Sequence, residues 1–159
     1  MILHYLPASD IIIDEVRLSF SEKRHSVRKK LGETYKEDNQ IVSLADKDIH
    51  QRRDIYKNLH DTDNYFFMGY NEDDLLIEVE VHQCDQIKVM NMSFDFNEAL
   101  DAIALKLAGH SPGQKRGEGE YFFKDLKIAI IDKEQMGGEG NTLGYFYCTN
   151  DVSHLDSYK

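Results

Sequence analysis

The sequence of 159 residues contains few residues that crosslink or interrupt a chain: two cysteines, two prolines and no tryptophan. Cys84 and Cys148 are too few for the disulfide framework of a small secreted domain. Both lie in strand-like sequence, where a free thiol behaves as a small buried apolar group. We therefore expect a reducing compartment, with a single disulfide between the two cysteines as the alternative.

Long apolar runs are also missing. No uninterrupted apolar stretch approaches the ~18 residues of a membrane-spanning helix. Residues 1–10 lack the basic region that begins a signal peptide. We therefore expect a cytoplasmic protein that does not act at a membrane.

Basic residues are in the minority: 19 Lys and Arg stand against 29 Asp and Glu, which gives a net charge of −10. This charge disfavours long-range attraction to nucleic acid or to anionic lipid, and it favours a basic partner. Hydrophobic residues at 41% and charged residues at 30% are typical of a globular chain.

The first strand and helix are predicted between residues 16 and 32. Residues 16–20 alternate apolar and polar, as in a strand. Ser19 and Glu22 have the spacing of a capping box, which begins a helix. Val27 and Leu31 lie one helical turn apart, and Gly32 is a typical C-terminal stop.

The middle of the chain is predicted to be a long polar excursion followed by strands. Residues 33–64 are weakly patterned, with a short helix over 45–60 as the alternative to an irregular loop. Strands are predicted over 65–70 and 75–81, joined by the turn 71–74, and a further strand follows over 87–94.

A second helix and three further strands complete the predicted elements. Asp95 and Glu98 form another capping box, and apolar residues at helical spacing run from Leu100 to Leu107. The loop 110–120 then leads to strands at 121–123, 126–131 and 143–148.

The order of elements occurs twice, and the triplet Tyr65-Phe66-Phe67 returns as Tyr121-Phe122-Phe123. We interpret the triplets as one position in two copies of a unit, in which the middle Phe faces away from its neighbours. The predicted fold is α+β. It has a mostly antiparallel sheet with helices packed on one face, built from two unequal tandem helix-plus-hairpin repeats. One domain spans 1–159, with repeats at about 15–94 and 95–149 and a tail at 150–159.

One motif resembles a known family. Residues 16–21, Val-Arg-Leu-Ser-Phe-Ser, followed by Leu31-Gly32, resemble the opening motif of small bacterial proteins with tandem repeats of the β-lactamase-inhibitor-protein-like type. Ser19 and Phe20 replace the Gly and Met of that motif, and Glu33 replaces the Pro that often follows Leu-Gly. Some relatives lie beside polymorphic-toxin genes, so the resemblance implies a toxin-immunity protein.

The sequence contains no motif that indicates a reaction, a cofactor or a metal. C-x-x-C, H-E-x-x-H and the phosphate-binding glycine motifs are missing. His82 and Cys84 share one strand face, but without further ligand spacing we interpret them as structural. The candidate partner-binding residues are the acidic turn, namely Tyr70, Glu72, Asp73 and Asp74, together with the exposed face of the sheet.

The leading hypothesis is therefore a non-enzymatic cytoplasmic binding protein, most concretely an acidic immunity protein that occludes a basic bacterial toxin. The alternative is a small-ligand-binding protein or enzyme with a pocket between the repeats. A homodimer that buries the open sheet face is a third hypothesis.

Overall fold

The computed structural model describes residues 1–44 and 47–152. In this part of the chain it contains thirteen strands and two α-helices. The strands are β1 (Ile2–Leu6), β2 (Asp10–Ile13), β3 (Val16–Ser19), β4 (Tyr35–Leu44), β5 (Lys47–Lys57), β6 (Tyr65–Tyr70), β7 (Leu76–Gln83), β8 (Gln86–Val89), β9 (Met92–Phe94), β10 (Gly113–Lys115), β11 (Glu120–Phe123), β12 (Ile128–Asp132) and β13 (Leu143–Thr149). The helices are α1 (Arg24–Leu31) and α2 (Leu100–Ala108).

The strands form two sheets. The smaller sheet has the order β3-β2-β1-β8-β9, and its strands are antiparallel except for the β1–β8 pair. The larger has the order β10-β11-β12-β13-β7-β6-β5-β4 and is antiparallel throughout. The larger sheet thus consists of two four-stranded meanders, joined where β13 pairs with β7.

The main core lies between the inner face of the eight-stranded sheet, the five-stranded sheet and the two helices. Tyr5 of β1 meets Phe146 of β13 edge to face at 6.5 Å. Its hydroxyl donates to the carbonyl oxygen of Leu126 at 2.8 Å. Helix α1 buries Val27 and α2 buries Ile103 in the same cluster. Each fully buried aliphatic or aromatic side chain contributes about 1.5–3 kcal/mol relative to exposure.

Only the glutamate half of each predicted capping box forms, and each helix begins later than predicted. The Glu22 carboxylate accepts the Ser19 backbone N–H at 3.1 Å, yet α1 begins at Arg24. Glu98 accepts the Asp95 N–H at 3.3 Å, and α2 begins at Leu100. Each box therefore closes a turn that precedes the helix.

The predicted α+β class and the predominance of antiparallel pairing are confirmed, but two details are wrong. The structure has two sheets, whereas one was predicted. Most of residues 33–64 is neither an irregular excursion nor an α-helix, since β4 and β5 pair from Tyr35–Tyr56 onward as a long hairpin, and a short 3₁₀ helix follows at Leu59–Asp61. Both faces of its far end are exposed, so no apolar alternation marks these strands. Positions 45–46, and residues 153–159 of the predicted tail, lie outside the described residues.

The two aromatic triplets do not occupy equivalent positions. Tyr65 to Phe67 lie on β6, next to the central β7, whereas Tyr121 to Phe123 lie on β11, two strands from β13. In each triplet the middle Phe faces away from its two neighbours, as predicted, but the two middle Phe residues lie on opposite faces of the sheet. Phe66 points into the main core, while Phe122 joins a small cluster on the other side of the sheet.

A buried ion cluster joins α1 to the first meander. Asp54 is fully buried and accepts from Arg24 Nη2 at 2.6 Å and from Arg28 Nη2 at 2.7 Å. Burial alone would raise the pKa of Asp54, but the hydrogen bonds from Arg28 and Arg24 outweigh it and lower that pKa. The cluster is therefore charged and compensated.

Within the described residues, no helix has the length and apolarity needed to cross a membrane.

We expect Asp54→Asn to lower the free energy of unfolding by about 3–5 kcal/mol, because it leaves two arginines near a site that no longer carries a negative charge. Urea denaturation measures this cost. Asp10→Asn is the matched control. Asp10 pairs with the exposed Arg17 at 2.6 Å, so its replacement should cost about 1 kcal/mol or less. Equal losses for both variants would contradict the structural role of Asp54.

The same substitution has a pH signature. The pKa of Asp54 is lower in the folded than in the unfolded chain, so its stabilisation is fully present above the unfolded pKa of about 3.9. It is lost as the pH falls through the folded pKa. Stability measured from pH 7 downward should therefore fall less steeply in Asp54→Asn than in the unsubstituted chain.

Candidate binding face

The side of the eight-stranded sheet opposite the main core, called the outer face below, carries a group of aromatic and charged side chains. Period-two alternation turns Val79 and Val81 of β7 into the core and leaves Glu80 on the outer face. Cross-strand pairing then places Glu80 between Phe67 of β6 and Tyr147 of β13. The central members are Arg53, Phe67, Glu78, Glu80, His82, Tyr145 and Tyr147.

The rings in this group contact one another across three strands. The His82 imidazole lies 4.8 Å from the Phe67 ring and 5.2 Å from the Tyr145 ring, measured between centroids. Tyr65 meets Phe67 edge to face at 5.1 Å. The Arg53 guanidinium carbon lies 4.7 Å above the centroid of Phe67, a cation–π contact. These contacts hold the rings in a continuous layer.

Two polar groups at the centre of the outer face are incompletely paired. The Glu80 carboxylate oxygen Oε2 lies 3.8 Å from His82 Nε2 and 3.9 Å from Arg53 Nη1, beyond hydrogen-bond distance. His82 Nε2 is buried and has no hydrogen-bond partner among the described residues. A buried polar atom without a partner is uncommon, and a ligand, partner or water accounts for many such cases.

The neighbouring tyrosines remain protonated donors at neutral pH. Burial raises the pKa of Tyr145, and the nearby Glu80 and Glu78 raise it further. Burial and Glu78 also raise the pKa of Tyr147. The Tyr147 hydroxyl donates to Glu78 Oε2 at 2.7 Å. A tyrosine in this setting is a poor base or nucleophile, so the group is suited to binding by hydrogen bonds and ring contacts.

The residues predicted as a partner site at the acidic turn differ in exposure: one lies in the core and the others lie at the surface. Tyr70 is 3% exposed and belongs to the main core, so it does not contribute to an exposed surface. Glu72 and Asp73 are exposed. Asp74 is paired with Arg52 at 2.7 Å and lies 3.6 Å from Arg24, so the turn leans towards α1. The turn and the centre of the outer face are therefore separate surfaces.

Cys84 and Cys148 are both buried free thiols, which excludes a disulfide between them. Burial raises the pKa of Cys84 to about 12 and the pKa of Cys148 well above its usual value. Neither forms part of a group of three or more potential metal ligands in the described residues.

Shallow cavities adjoin the eight-stranded sheet. One of about 270 Å³ lies between α2 and β11 and is lined by Ala104, Leu105 and Phe123. Another, of about 410 Å³, adjoins the outer face at Tyr65 and has Lys36 and Lys57 in its lining.

The sequence did not predict that Arg53, Glu80 and His82 lie close together. Glu78, Glu80 and His82 alternate with apolar residues, and this alternation is a usable signal for a strand with one polar, half-buried face. Arg53 carried no such signal, because it lies in the segment interpreted as irregular.

Comparison with protein-family models, with curated proteins and with solved structures found no match to this chain.

The side chain of Glu78 on β7 packs directly over Gly69 on β6, where there is no room for a Cβ atom. A Cβ atom at Gly69 would lie 2.3 Å from Glu78 Cγ. We expect Gly69→Ala to displace the Glu78 side chain from the Tyr147 hydroxyl and to lower the free energy of unfolding by about 1–3 kcal/mol.

The control is the same substitution in a Glu78→Ala background. Without the Glu78 side chain the clash is absent, so Gly69→Ala should cost almost nothing there. Urea denaturation of the four proteins gives the coupling energy. An equal cost in both backgrounds would mean that Glu78 does not constrain Gly69.

Proposed function

We propose that this chain is a non-enzymatic cytoplasmic protein-binding protein, and most concretely an immunity protein that occludes a basic bacterial toxin through its outer face. The observation that carries the proposal is the incompletely paired Glu80 and His82 at the centre of an aromatic surface. Protein interfaces concentrate their binding energy in such centres, which are enriched in Tyr, Trp and Arg.

The chemistry of the outer face favours a cationic group of the partner. Glu80 lies between Phe67 and Tyr147, and a Lys or Arg of the partner would meet this carboxylate beside an aromatic layer that already holds Arg53 by a cation–π contact. The net charge of −10 would accelerate encounter with a basic protein. The outer face spans eight strands, so a protein bound there would lose access to its own substrate over a wide area.

A small-ligand-binding protein or enzyme is the second candidate. One observation favours it: a carboxylate and an imidazole lie 3.8 Å apart beside the β7–β13 pair. The layout of these residues disfavours the second candidate. They lie on the face of a sheet, and burial raises the pKa of the neighbouring Tyr145. A deep cleft with convergent polar groups is the usual setting for a small ligand.

The experiment is co-expression with the product of the neighbouring gene, followed by purification of the complex. If that gene encodes a toxin, we expect a stoichiometric complex and protection of the host cell. We expect Glu80→Lys and the milder Glu80→Gln to weaken the complex, with a loss of at least ~30-fold (2 kcal/mol) for Glu80→Lys, because a hot-spot contact becomes repulsive.

Glu72→Lys is the matched control, since it makes the same charge reversal on the exposed acidic turn. Binding should survive it. If Glu72→Lys abolishes binding and Glu80→Lys does not, the partner uses the acidic turn and the outer-face proposal is wrong. If the neighbouring product is no toxin and no protein copurifies at stoichiometric yield, the immunity proposal should be abandoned.

We also propose that the chain consists of two tandem units, each a hairpin, a helix and a four-stranded meander. The support is a repeated set of contacts. Lys30 of α1 bonds to the carboxylate of Glu22 at 2.7 Å and to the Arg17 carbonyl oxygen at 3.2 Å. Lys106 of α2 bonds to Glu98 at 2.5 Å and to the Ser93 carbonyl oxygen at 3.0 Å.

The bridges that precede the helices repeat in the same way. Lys23, just before α1, bridges Leu75 before β7, and Ala99, just before α2, bridges Thr142 before β13. In this arrangement β7 corresponds to β13 and β6 corresponds to β12. The triplet on β6 and the triplet on β11 are therefore not equivalent positions of the two units.

If the units are equivalent, Lys30→Met and Lys106→Met should destabilise the protein by similar amounts, each about 0.3–1 kcal/mol, because each removes one half-exposed ion pair that joins helix and hairpin. Thermal denaturation measures both. Lys29→Met, at an exposed position of α1, is the control and should have a smaller effect. A large cost at one lysine and none at the other would speak against equivalence.

A further inference from the structure

The outermost strand β4 is a long open edge. It has ten residues, whereas the other edge strands β3, β9 and β10 have four, three and three. The opposite edge of the same sheet is also protected, because Pro112 precedes β10 and Lys115 ends it. Short length, proline and lysine are the usual devices that prevent edge-to-edge pairing. Strand β4 lacks them from Asn39 to Leu44.

The far end of the β4–β5 hairpin extends beyond its neighbours. Strand β6 pairs with β5 only from Arg52 to Lys57. Residues 40–44 and 47–51 therefore form a two-stranded ribbon without a third strand. Its apolar side chains are exposed: Ile41 by 62%, Ile49 by 48% and Val42 by 38%. A two-stranded ribbon is marginally stable alone, and exposed β-branched residues on an open edge favour further pairing.

The edge is electrically neutral in a strongly acidic chain. Residues 39–44 (Asn-Gln-Ile-Val-Ser-Leu) carry no charge, whereas the whole chain has a net charge of −10. Two copies of the chain would repel each other over most of their surfaces, but not along this segment. Its composition, with high β-propensity and neither Pro nor Gly, is typical of strands that pair with identical strands.

We propose that the β4 edge pairs with the β4 edge of a second copy of this chain, antiparallel and across a two-fold axis normal to the sheet. With such an axis, the outer faces of both copies lie on the same side of the joined sheet. Each residue of β4 therefore pairs with a residue whose side chain lies on the same side of the sheet as its own. The pairing centred on Ile41 places Ile41 opposite Ile41, Gln40 opposite Val42 and Asn39 opposite Ser43. No charges oppose one another over this stretch.

A second copy fits this edge better than an open-ended stack of chains. Pairing of identical edges across a two-fold axis consumes both edges and stops at two copies. Growth from the other side would need β10, which is short and protected. The assembly is therefore a closed dimer in which two eight-stranded sheets join edge to edge. This inference does not depend on the outer face or on its partner.

Sedimentation equilibrium of the purified chain tests the proposal. We expect a reversible dimer of twice the 18.5 kDa chain mass. Ile41→Lys should weaken it at least ~10-fold, because two lysines would then face each other across the axis. Leu105→Lys is the matched control: Leu105 is 77% exposed on α2 and lies away from β4, so the dimer should persist. Circular dichroism and the melting temperature verify that both variants are folded.

A monomer at every concentration reached would overturn the proposal, and so would a dimer that Ile41→Lys leaves intact. The register has its own test, in which Ile41→Cys is treated with a short bismaleimide crosslinker. Cys84 and Cys148 are buried and should not compete. We expect a covalent dimer from Ile41→Cys but not from Leu105→Cys. Equal crosslinking of both variants would show that contact at Ile41 is not specific.

Discussion

The structure depends on the antiparallel pairing of β7 with β13. This pairing runs from Phe146–Val81 to Thr149–Glu78 and joins the two meanders into one eight-stranded sheet. Because side chains alternate along each strand, the same pairing determines both surfaces of the sheet. Val79, Val81, Phe146 and Cys148 enter the main core, while Glu80 and Tyr147 lie side by side outside it. A slip of one residue would bury the glutamate and expose the core valines, so the register is strongly specified.

The sequence predicts those helices and strands that bury one apolar face. The helices that contain Val27 and Ile103, and the strands with one buried face, follow from periodicity, because each has an apolar side to bury. It does not predict the long β4–β5 hairpin, whose far end exposes both faces and therefore shows no periodicity. Nor does it predict which strands share a sheet, since pairing between β7 and β13 depends on contacts distant in sequence. The candidate site was missed because Arg53 and Glu80 meet only through the β5–β6 and β6–β7 pairings, and β5 was not predicted as a strand.

Two acidic groups in the structure illustrate different uses of charge. Asp54 is fully buried and accepts hydrogen bonds from two arginines, so its cost of burial is offset within the chain. Glu80 is mostly covered, yet its nearest basic side chains, His82 and Arg53, lie at 3.8 and 3.9 Å. A charge that is fully compensated contributes to folding and offers little to a partner. A charge left partly uncompensated in an apolar surface gains most when another molecule supplies the missing contact. For this reason the outer face, and not the ion cluster, is the surface proposed for binding.

The two proposed surfaces are compatible on geometric grounds. In a dimer paired through β4, seven strand spacings of about 4.8 Å, roughly 34 Å, separate β7 of one copy from β7 of the other. Glu80 is level with Lys36, five residues from Ile41, so the two-fold axis also displaces the two Glu80 residues by about ten rises of ~3.4 Å along the strands. The two Glu80 centres therefore lie roughly 48 Å apart. That separation exceeds the diameter of a small domain, about 30 Å. Both outer faces point to the same side of the joined sheet, because the two-fold axis is normal to it. One small partner would therefore not cover both centres, and each copy would bind its own partner, which gives two partners per dimer.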